Sequence, residues 1–312
     1  MRSREKSFYV VFAVAAALVI PATIALRTVA HPAVLQLGSN PTPLGYTRSL
    51  LLFIIPIIAL AWWFARRPDL QFPRKAFWRT IAVLAPLGFV LDLLFGNAFF
   101  TFPNQQATLG FGVPAFGGRI PIEEFIFYLT GFMLVLLSYI WCDEYWMAAY
   151  NVPDYSAAAR NITRIVRFHF TSFILGIVLI AAAIAYRKLY SGDAKGFPWY
   201  FIYLVCASLI PSAGFFRTAQ RFINWRAFSF TFFLLLLISL LWEVTLALPY
   251  GWWGFRQSAM IGLNVSAWSN LPVEEPCVWM AVSFTTIITY EVIKIWKALG
   301  AGALQAFFGV GE

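Results

Sequence analysis

Six acidic residues lie in or beside long apolar segments, where an ionisable side chain is hardest to accommodate. They are conspicuous because the chain has only 14 Asp and Glu residues in all. An ionisable group within hydrocarbon is costly, and by default it marks a functional site that faces the interior of a helical bundle. The six candidates for catalysis are Asp92, Glu123, Glu124, Glu243, Glu274 and Glu275.

A role at helix starts is the alternative explanation for the two glutamate pairs. Pro121 and Pro272 suit the first position of a helix, and glutamates in the first turn interact favourably with the helix dipole. This explains one glutamate in one place. It does not explain doubled glutamates in two places, each with a third acid 31 residues upstream. We therefore favour a functional role.

The two acidic motifs belong to an internal repeat. An offset of 151 residues aligns the second half of the chain with the first half without a gap over a long stretch. It aligns the segment 121–124 (PIEE) with 272–275 (PVEE), and Asp92 with Glu243. We predict two homologous units, residues 1–150 and 151–312. With four helices each, they would run in the same direction about a pseudo-twofold axis along the membrane normal.

The elements that position these acids are predicted to be membrane-spanning helices. The chain is 61% hydrophobic and 12% charged, and its apolar runs approach the roughly 20 residues that a helix needs to cross a bilayer. We predict an all-α polytopic bundle with eight spans, at residues 8–26, 49–65, 77–100, 120–142, 168–186, 198–216, 228–249 and 271–294.

The basic residues predict the orientation of the bundle. Alternate connections carry 16 and 7 of the 23 Lys and Arg residues, so the positive-inside rule places both termini in the cytoplasm. The net charge of +9 is divided into short clusters between spans, which does not indicate nucleic-acid binding. A cell inner membrane is the expected location. Segment 142–167 is either a solvated loop, which we favour, or a docking site for a pathway enzyme.

Adjacent glutamates on a helix point about 100° apart, so Glu123 and Glu124 cannot both face one cavity. We expect one to react and the other to hold it in place. A proton shared between Glu123 and Asp92 would keep one carboxyl neutral and able to act as a general acid.

Aromatic side chains surround the acids in both halves. They could form an interfacial belt, or a cavity whose π faces stabilise a carbocation. An acid in such a cavity is suited to protonating an apolar polyene from the surrounding lipid. His31 and His169 lack partners at metal-ligand spacing, and no metal or organic cofactor is expected. The candidate substrate-binding residues are Phe95, Phe99, Phe127, Tyr128, Trp242, Trp252 and Trp279.

The doubled Pro-x-Glu-Glu motif resembles the membrane-embedded lycopene cyclases of the archaeal, fungal and actinobacterial type. Members of that family carry Pro-x-Glu-Glu or Pro-x-Glu-Asp in each of two homologous halves, and this chain looks like the fused form. The resemblance covers residues 49–145 and 198–296.

The resemblance implies a cyclisation without redox change, in which the ψ end of lycopene closes to a β-type ring. Glu123 and Glu274 match the family's constant glutamate, Glu124 and Glu275 its variable acidic position. We expect Glu123 to be the proton donor or its relay, with Asp92 or Glu274 as the base. The repeat that performs the chemistry, the number of rings and the oligomeric state are left open.

Three other functions are compatible with the sequence. Related membrane cyclases act on meroterpenoids by the same protonation chemistry. Duplicated bundles with buried acids also form proton-coupled transporters. A non-catalytic carotenoid-binding subunit would tolerate loss of Glu123 and Glu274. The acids lie at the ends of spans, whereas transporters usually interrupt helices near the midplane, and this favours an enzyme.

Overall fold

Long helices form almost all of the ordered secondary structure. A computed structural model describes residues 42–70, 72–192 and 195–310. The helices are α1 (Gly45–Ser49), α2 (Leu51–Ala65), α3 (Arg74–Phe99), α4 (Ile122–Trp141), α5 (Tyr155–Ala159), α6 (Phe170–Leu189), α7 (Trp199–Ala219), α8 (Trp225–Trp242), α9 (Glu274–Leu299) and α10 (Ala303–Phe308).

Seven helical segments of the described chain are long and apolar enough to cross a membrane. Each corresponds to one of the predicted spans from residue 49 onward, and the predicted span 8–26 lies outside the described residues. The prediction of an all-α, multi-pass membrane bundle is confirmed. The seven are Gly45–Ala65, Arg74–Phe99, Ile122–Trp146, Phe170–Leu189, Trp199–Ala219, Trp225–Ala247 and Glu274–Leu299.

The two helices that begin with the glutamate pairs form the centre of the bundle. In the spans Ile122–Trp146 and Glu274–Leu299, 67% and 56% of an 18-residue apolar stretch is buried inside the protein. The corresponding shares in the other five spans are 17–33%. The outer helices instead expose their apolar side chains, which suits contact with lipid. The acidic motifs are therefore carried into the interior by the helices most shielded from the bilayer.

Short strands connect the spans at the end where the central helices begin. β2 (Gly112–Ala115) pairs with β3 (Gly118–Pro121), and β5 (Asn264–Val265) pairs with β6 (Leu271–Pro272). β1 (Phe100–Thr101) pairs with β4 (Gly254–Phe255), which joins the two halves of the chain. Strands of two to four residues are too short to show a periodicity, so the sequence did not predict them.

The prolines of the two motifs lie just outside the helices, in contrast to the expected first helical position. Pro121 ends β3 and caps α4, while Pro272 ends β6 two residues before α9. In both places the strand hydrogen bonds fix the extended backbone of the proline. The glutamates still occupy the first helical turn, as predicted.

Segment 142–167 packs on the end of the bundle opposite the glutamate pairs. Ile165 and Val166 donate backbone hydrogen bonds to carbonyls of the terminal helix α10. Ala159 and Ile165 are buried in a cluster with residues of α9. Some residues of this segment are therefore part of the packed fold, while others, such as Asp154 and Arg160, are exposed as in a solvated loop.

Candidate functional site

All six predicted acids are buried at the end of the bundle where α4 and α9 begin. Their exposed fractions range from 0% for Glu123 and Glu274 to 8% for Glu124. Helices α3, α4 and α9 and the turn that follows α8 supply them, so both halves of the chain contribute. The structure thus brings together the acids that are separated by up to 183 positions in the sequence, from 92 to 275.

The first glutamate of each pair holds the preceding connection. Glu123 Oε1 accepts hydrogen bonds from the Thr47 hydroxyl and the Leu109 backbone NH, both at 2.6 Å. Glu274 Oε1 accepts one from the Ile261 backbone NH. These carboxylates thus bind backbone that would otherwise be unpaired and buried. Their contacts are those of anchoring residues.

The second glutamate of each pair is held by a tyrosine from the start of a neighbouring span. The Tyr46 hydroxyl donates to Glu124 Oε1, and the Tyr200 hydroxyl donates to Glu275 Oε1 at 3.2 Å. Tyr46 and Tyr200 were not among the predicted site residues. A usable signal existed, since each is a polar side chain close to the beginning of an apolar span in the corresponding part of each half.

The upstream acids lie beside the second glutamates. Glu243 is next to Glu275, and Asp92 is near Glu124. Glu243 begins a π-helical turn, Glu243–Ala247, that follows α8, and such turns occur frequently at functional sites. Each half therefore contains one buried pair of acids, made from the upstream acid and the second glutamate.

A cavity of about 60 Å³ lies between the two acid pairs. That volume is about twice the ~30 Å³ share of one water molecule in the liquid. Glu124, Glu243 and Glu275 line it, whereas Glu123, Glu274 and Asp92 do not. The aromatic residues in its wall are Tyr46, Phe100, Phe127, Tyr128, Phe132, Tyr200, Trp242, Trp253 and Trp279.

Tryptophan rings form much of the cavity wall. The Trp242 ring lies 4.5 Å from Trp253 and 5.2 Å from Phe127, measured between centroids, and Phe127 lies 5.7 Å from Trp279. The indole NH of Trp242 is buried without a hydrogen-bond partner among the described residues, and Trp279 lies against the Glu243 carboxyl. The wall thus combines π faces, which attract cations, with three carboxyl groups.

The predicted aromatic residues divide into two groups. Phe127, Tyr128, Trp242 and Trp279 line the cavity, as expected for a substrate site. Three others lie outside it and serve packing. Phe95 packs on Tyr203 at 5.8 Å, Phe99 packs on Tyr200 at 5.0 Å, and Trp252 donates its indole NH to the Thr42 hydroxyl. Trp253 lines the cavity although only its neighbour was selected.

The two glutamates of each pair point in different directions. We expected Glu123 as the proton donor or its relay and Asp92 or Glu274 as the base, whereas the cavity is lined by Glu124 and Glu275. The reason is the 100° turn between adjacent residues, which directs one glutamate to the connection and the other to the cavity. Asp92 ends short of the cavity that Glu243 reaches, in keeping with a side chain that is one methylene shorter.

The described residues hold no group of three or more His, Cys, Asp and Glu side chains arranged to bind a metal ion. Comparisons with models of known families, with curated proteins and with solved structures give no significant match to this chain. The fold and the site define an integral, multi-pass membrane protein with a cavity of buried acids and aromatic rings. Its activity must be argued from that cavity.

Proposed function

We propose that this protein is a membrane cyclase that protonates the end group of an apolar polyene and closes it to a ring. Its substrate would be lycopene or a similar carotenoid, and its product a β-type end group. The observation that carries the proposal is the cavity in which Glu124, Glu243 and Glu275 meet the rings of Trp242 and Trp279.

The Glu243–Glu275 pair is suited to donate the proton. Two carboxyls that lie side by side away from water cannot both be ionised without a large cost, so one of them holds a proton. Tyr200 fixes the position of Glu275 from the opposite side. Transfer of this proton to the terminal double bond forms a new C–H bond and leaves a tertiary carbocation.

The cavity wall then guides the cation. The internal double bond of the end group attacks the cationic carbon and forms the ring bond, which moves the charge to a ring carbon. The π faces of the tryptophans stabilise both cations. Glu124, held by Tyr46 on the other side of the cavity, removes the proton that creates the ring double bond. The overall change is an isomerisation, which needs no oxidant or reductant.

Entry of the end group requires movement of side chains. A cavity of about 60 Å³ is much smaller than an end group of ten carbons. Phe127 and Tyr128 are only partly buried, and they line the cavity from α4. Rotation of these two rings would open a path for a substrate dissolved in the bilayer. The proposed location is a cell inner membrane with both termini in the cytoplasm, as the distribution of basic residues predicts.

Pigment analysis of lycopene-producing cells tests the proposal. Cells that express the wild-type chain should form a monocyclic or bicyclic carotene. Glu275→Gln and Glu124→Gln should abolish the product while the protein remains in the membrane. Glu123→Gln and Glu274→Gln keep an acceptor oxygen for the connection and should retain activity. Unchanged lycopene in the wild-type strain, with the protein present, would refute lycopene as the substrate.

A further inference from the structure

One face of α9 carries buried hydroxyl groups that have no hydrogen-bond partner in the part of the chain that the structure describes. Ser283, Thr286 and Tyr290 are each 0% exposed, and their hydroxyl oxygens are unpartnered among the described residues. Serine and threonine in helices commonly bond to a carbonyl one turn earlier, as Thr130 does with Ile126 at 2.8 Å. Buried polar groups of this kind are usually satisfied by water.

These three residues, which we call the hydroxyl face, share one side of the helix with the cavity. At 100° per residue, positions 275, 279, 283, 286, 290 and 294 fall within an arc of about 100°. Along the helix axis, Glu275 and Trp279, which line the cavity, stand at one end of this face. Lys294 stands at the other end, about 28 Å away by the helical rise of 1.5 Å per residue. That distance is close to the ~30 Å thickness of the hydrocarbon.

A charged cluster lies at the far end of the face. Lys294 Nζ is 3.5 Å from carboxylate oxygens of both Asp143 and Glu144, and 3.9 Å from Glu291. The Tyr155 hydroxyl donates to Glu291, and burial raises the pKa of Tyr155, so it stays a neutral donor. The Glu144 side chain is 27% exposed, which connects this cluster with the surface.

The backbone positions that carry the hydroxyl groups lie within the span of a water bridge. Along the helix axis, the Cα atoms of Tyr290 and Thr286 are about 6 Å apart, and those of Thr286 and Ser283 are about 4.5 Å apart. One water molecule with two hydrogen bonds spans about 5.5 Å. Ser239 of α8 is also buried and unpartnered within the described chain, and it lies one helical turn before Glu243.

Among the described residues, the corresponding face of α4 lacks this series of hydroxyls. With the offset of 151 residues, Phe132 and Val135 stand where the second half has Ser283 and Thr286. Tyr139 corresponds to Tyr290, but its hydroxyl already donates to Glu291 at 2.9 Å. Among the described residues, the first half has one buried, unpartnered hydroxyl on α4, that of Ser138. The series of three on one helix face belongs to the half that carries the Glu243–Glu275 pair.

We propose that the hydroxyl face is a water-filled proton path between the charged cluster at Lys294 and the Glu243–Glu275 pair. The purpose of the path rests on the proposed function. Cyclisation gives one proton to the substrate and returns one to the base, so no net proton is consumed. The path would supply a proton to the Glu243–Glu275 pair through water. The proton taken up by Glu124 would return to solvent through the cavity and the same path, and the product would acquire hydrogen from the solvent.

Infrared measurement of hydrogen–deuterium exchange tests the path without any substrate. The full chain in lipid nanodiscs is transferred to D₂O, and the carbonyl band of the protonated carboxyl is followed, with Glu275→Gln and Glu243→Gln to assign it. Thr286→Val and Tyr290→Phe preserve shape and should slow exchange about tenfold or more, because water loses a partner at that step. Thr286→Ser should restore the wild-type rate.

Thr130→Val is the matched control, because that hydroxyl is already bonded within its own helix. Exchange that is equally fast in Thr286→Val, Tyr290→Phe and wild type would overturn the path, and so would equal slowing by Thr130→Val. If neither Glu275→Gln nor Glu243→Gln removes a carboxylic acid band from the spectrum, the protonated pair is refuted. Slowed exchange in a protein that forms no cyclic carotene would leave the path standing and refute the cyclase proposal alone.

Discussion

Truncation of Glu123 should destabilise the fold much more than truncation of a carboxyl that only faces the cavity. Glu123→Ala leaves two donors, the Thr47 hydroxyl and the Leu109 NH, without their 2.6 Å acceptor in a buried place. An unsatisfied buried group costs about 1–3 kcal/mol, so we expect a loss of about 2–6 kcal/mol in the free energy of unfolding. Glu123→Gln keeps an acceptor oxygen and should lose much less.

The chain offers its own reporter for this measurement. Cys142 is fully buried, so its reaction with a thiol dye in a denaturant titration reports unfolding, in a background where Cys206 and Cys277 are replaced by alanine. A double-mutant cycle with Thr47→Val should give a coupling energy of about 0.5–3 kcal/mol with Glu123→Ala. An equal loss for Glu123→Ala and Glu123→Gln, or a coupling energy of zero, would refute the anchoring role.

Two further substitutions test the packing around the site and the charged cluster. Gly96→Ala should lower the free energy of unfolding and displace Asp92, because the new Cβ would meet Asp92 Oδ1 at 2.6 Å. Gly214→Ala is the control in the same titration, because its Cβ would meet nothing within 4 Å. Lys294→Met should cost about 3–5 kcal/mol, because it leaves the surrounding carboxylates buried without their cation. Lys297→Met, at an exposed position, should leave the free energy of unfolding unchanged.

The sequence predicted the seven described spans and the burial of the six acids because both depend on local composition. Apolar runs long enough to cross a bilayer form helices wherever they occur, and the repeat located Asp92 and Glu243 beside the glutamate pairs. The orientation of Glu123 against Glu124 depended on the helix start, which the short strand β3 sets through pairing with β2. Pairing between such short segments leaves no periodic signal in the sequence.

The tyrosines that hold the second glutamates were missed for a related reason. Tyr46 and Tyr200 come from neighbouring spans, and only the packing of helices shows that their hydroxyls reach Glu124 and Glu275. A search for polar residues near span ends would have selected them together with many interfacial aromatic residues. The choice among these candidates is made by tertiary contacts.

The charged cluster illustrates what the predicted duplication allows and an assembly of identical subunits does not. Asp143 and Lys294 occupy equivalent positions at the offset of 151 residues, and they form an ion pair at 3.5 Å. Two identical subunits would place two aspartates or two lysines at this meeting point, and like charges in a buried place repel. Once both units are in one chain, each position can change separately. One unit supplies the cation and the other the anion, which favours a single arrangement of the two halves.

The same independence allows the second half to carry the hydroxyl face, while the first half keeps Phe132 and Val135 at the corresponding positions. The two acid pairs can therefore differ in access to protons even though their motifs remain nearly the same.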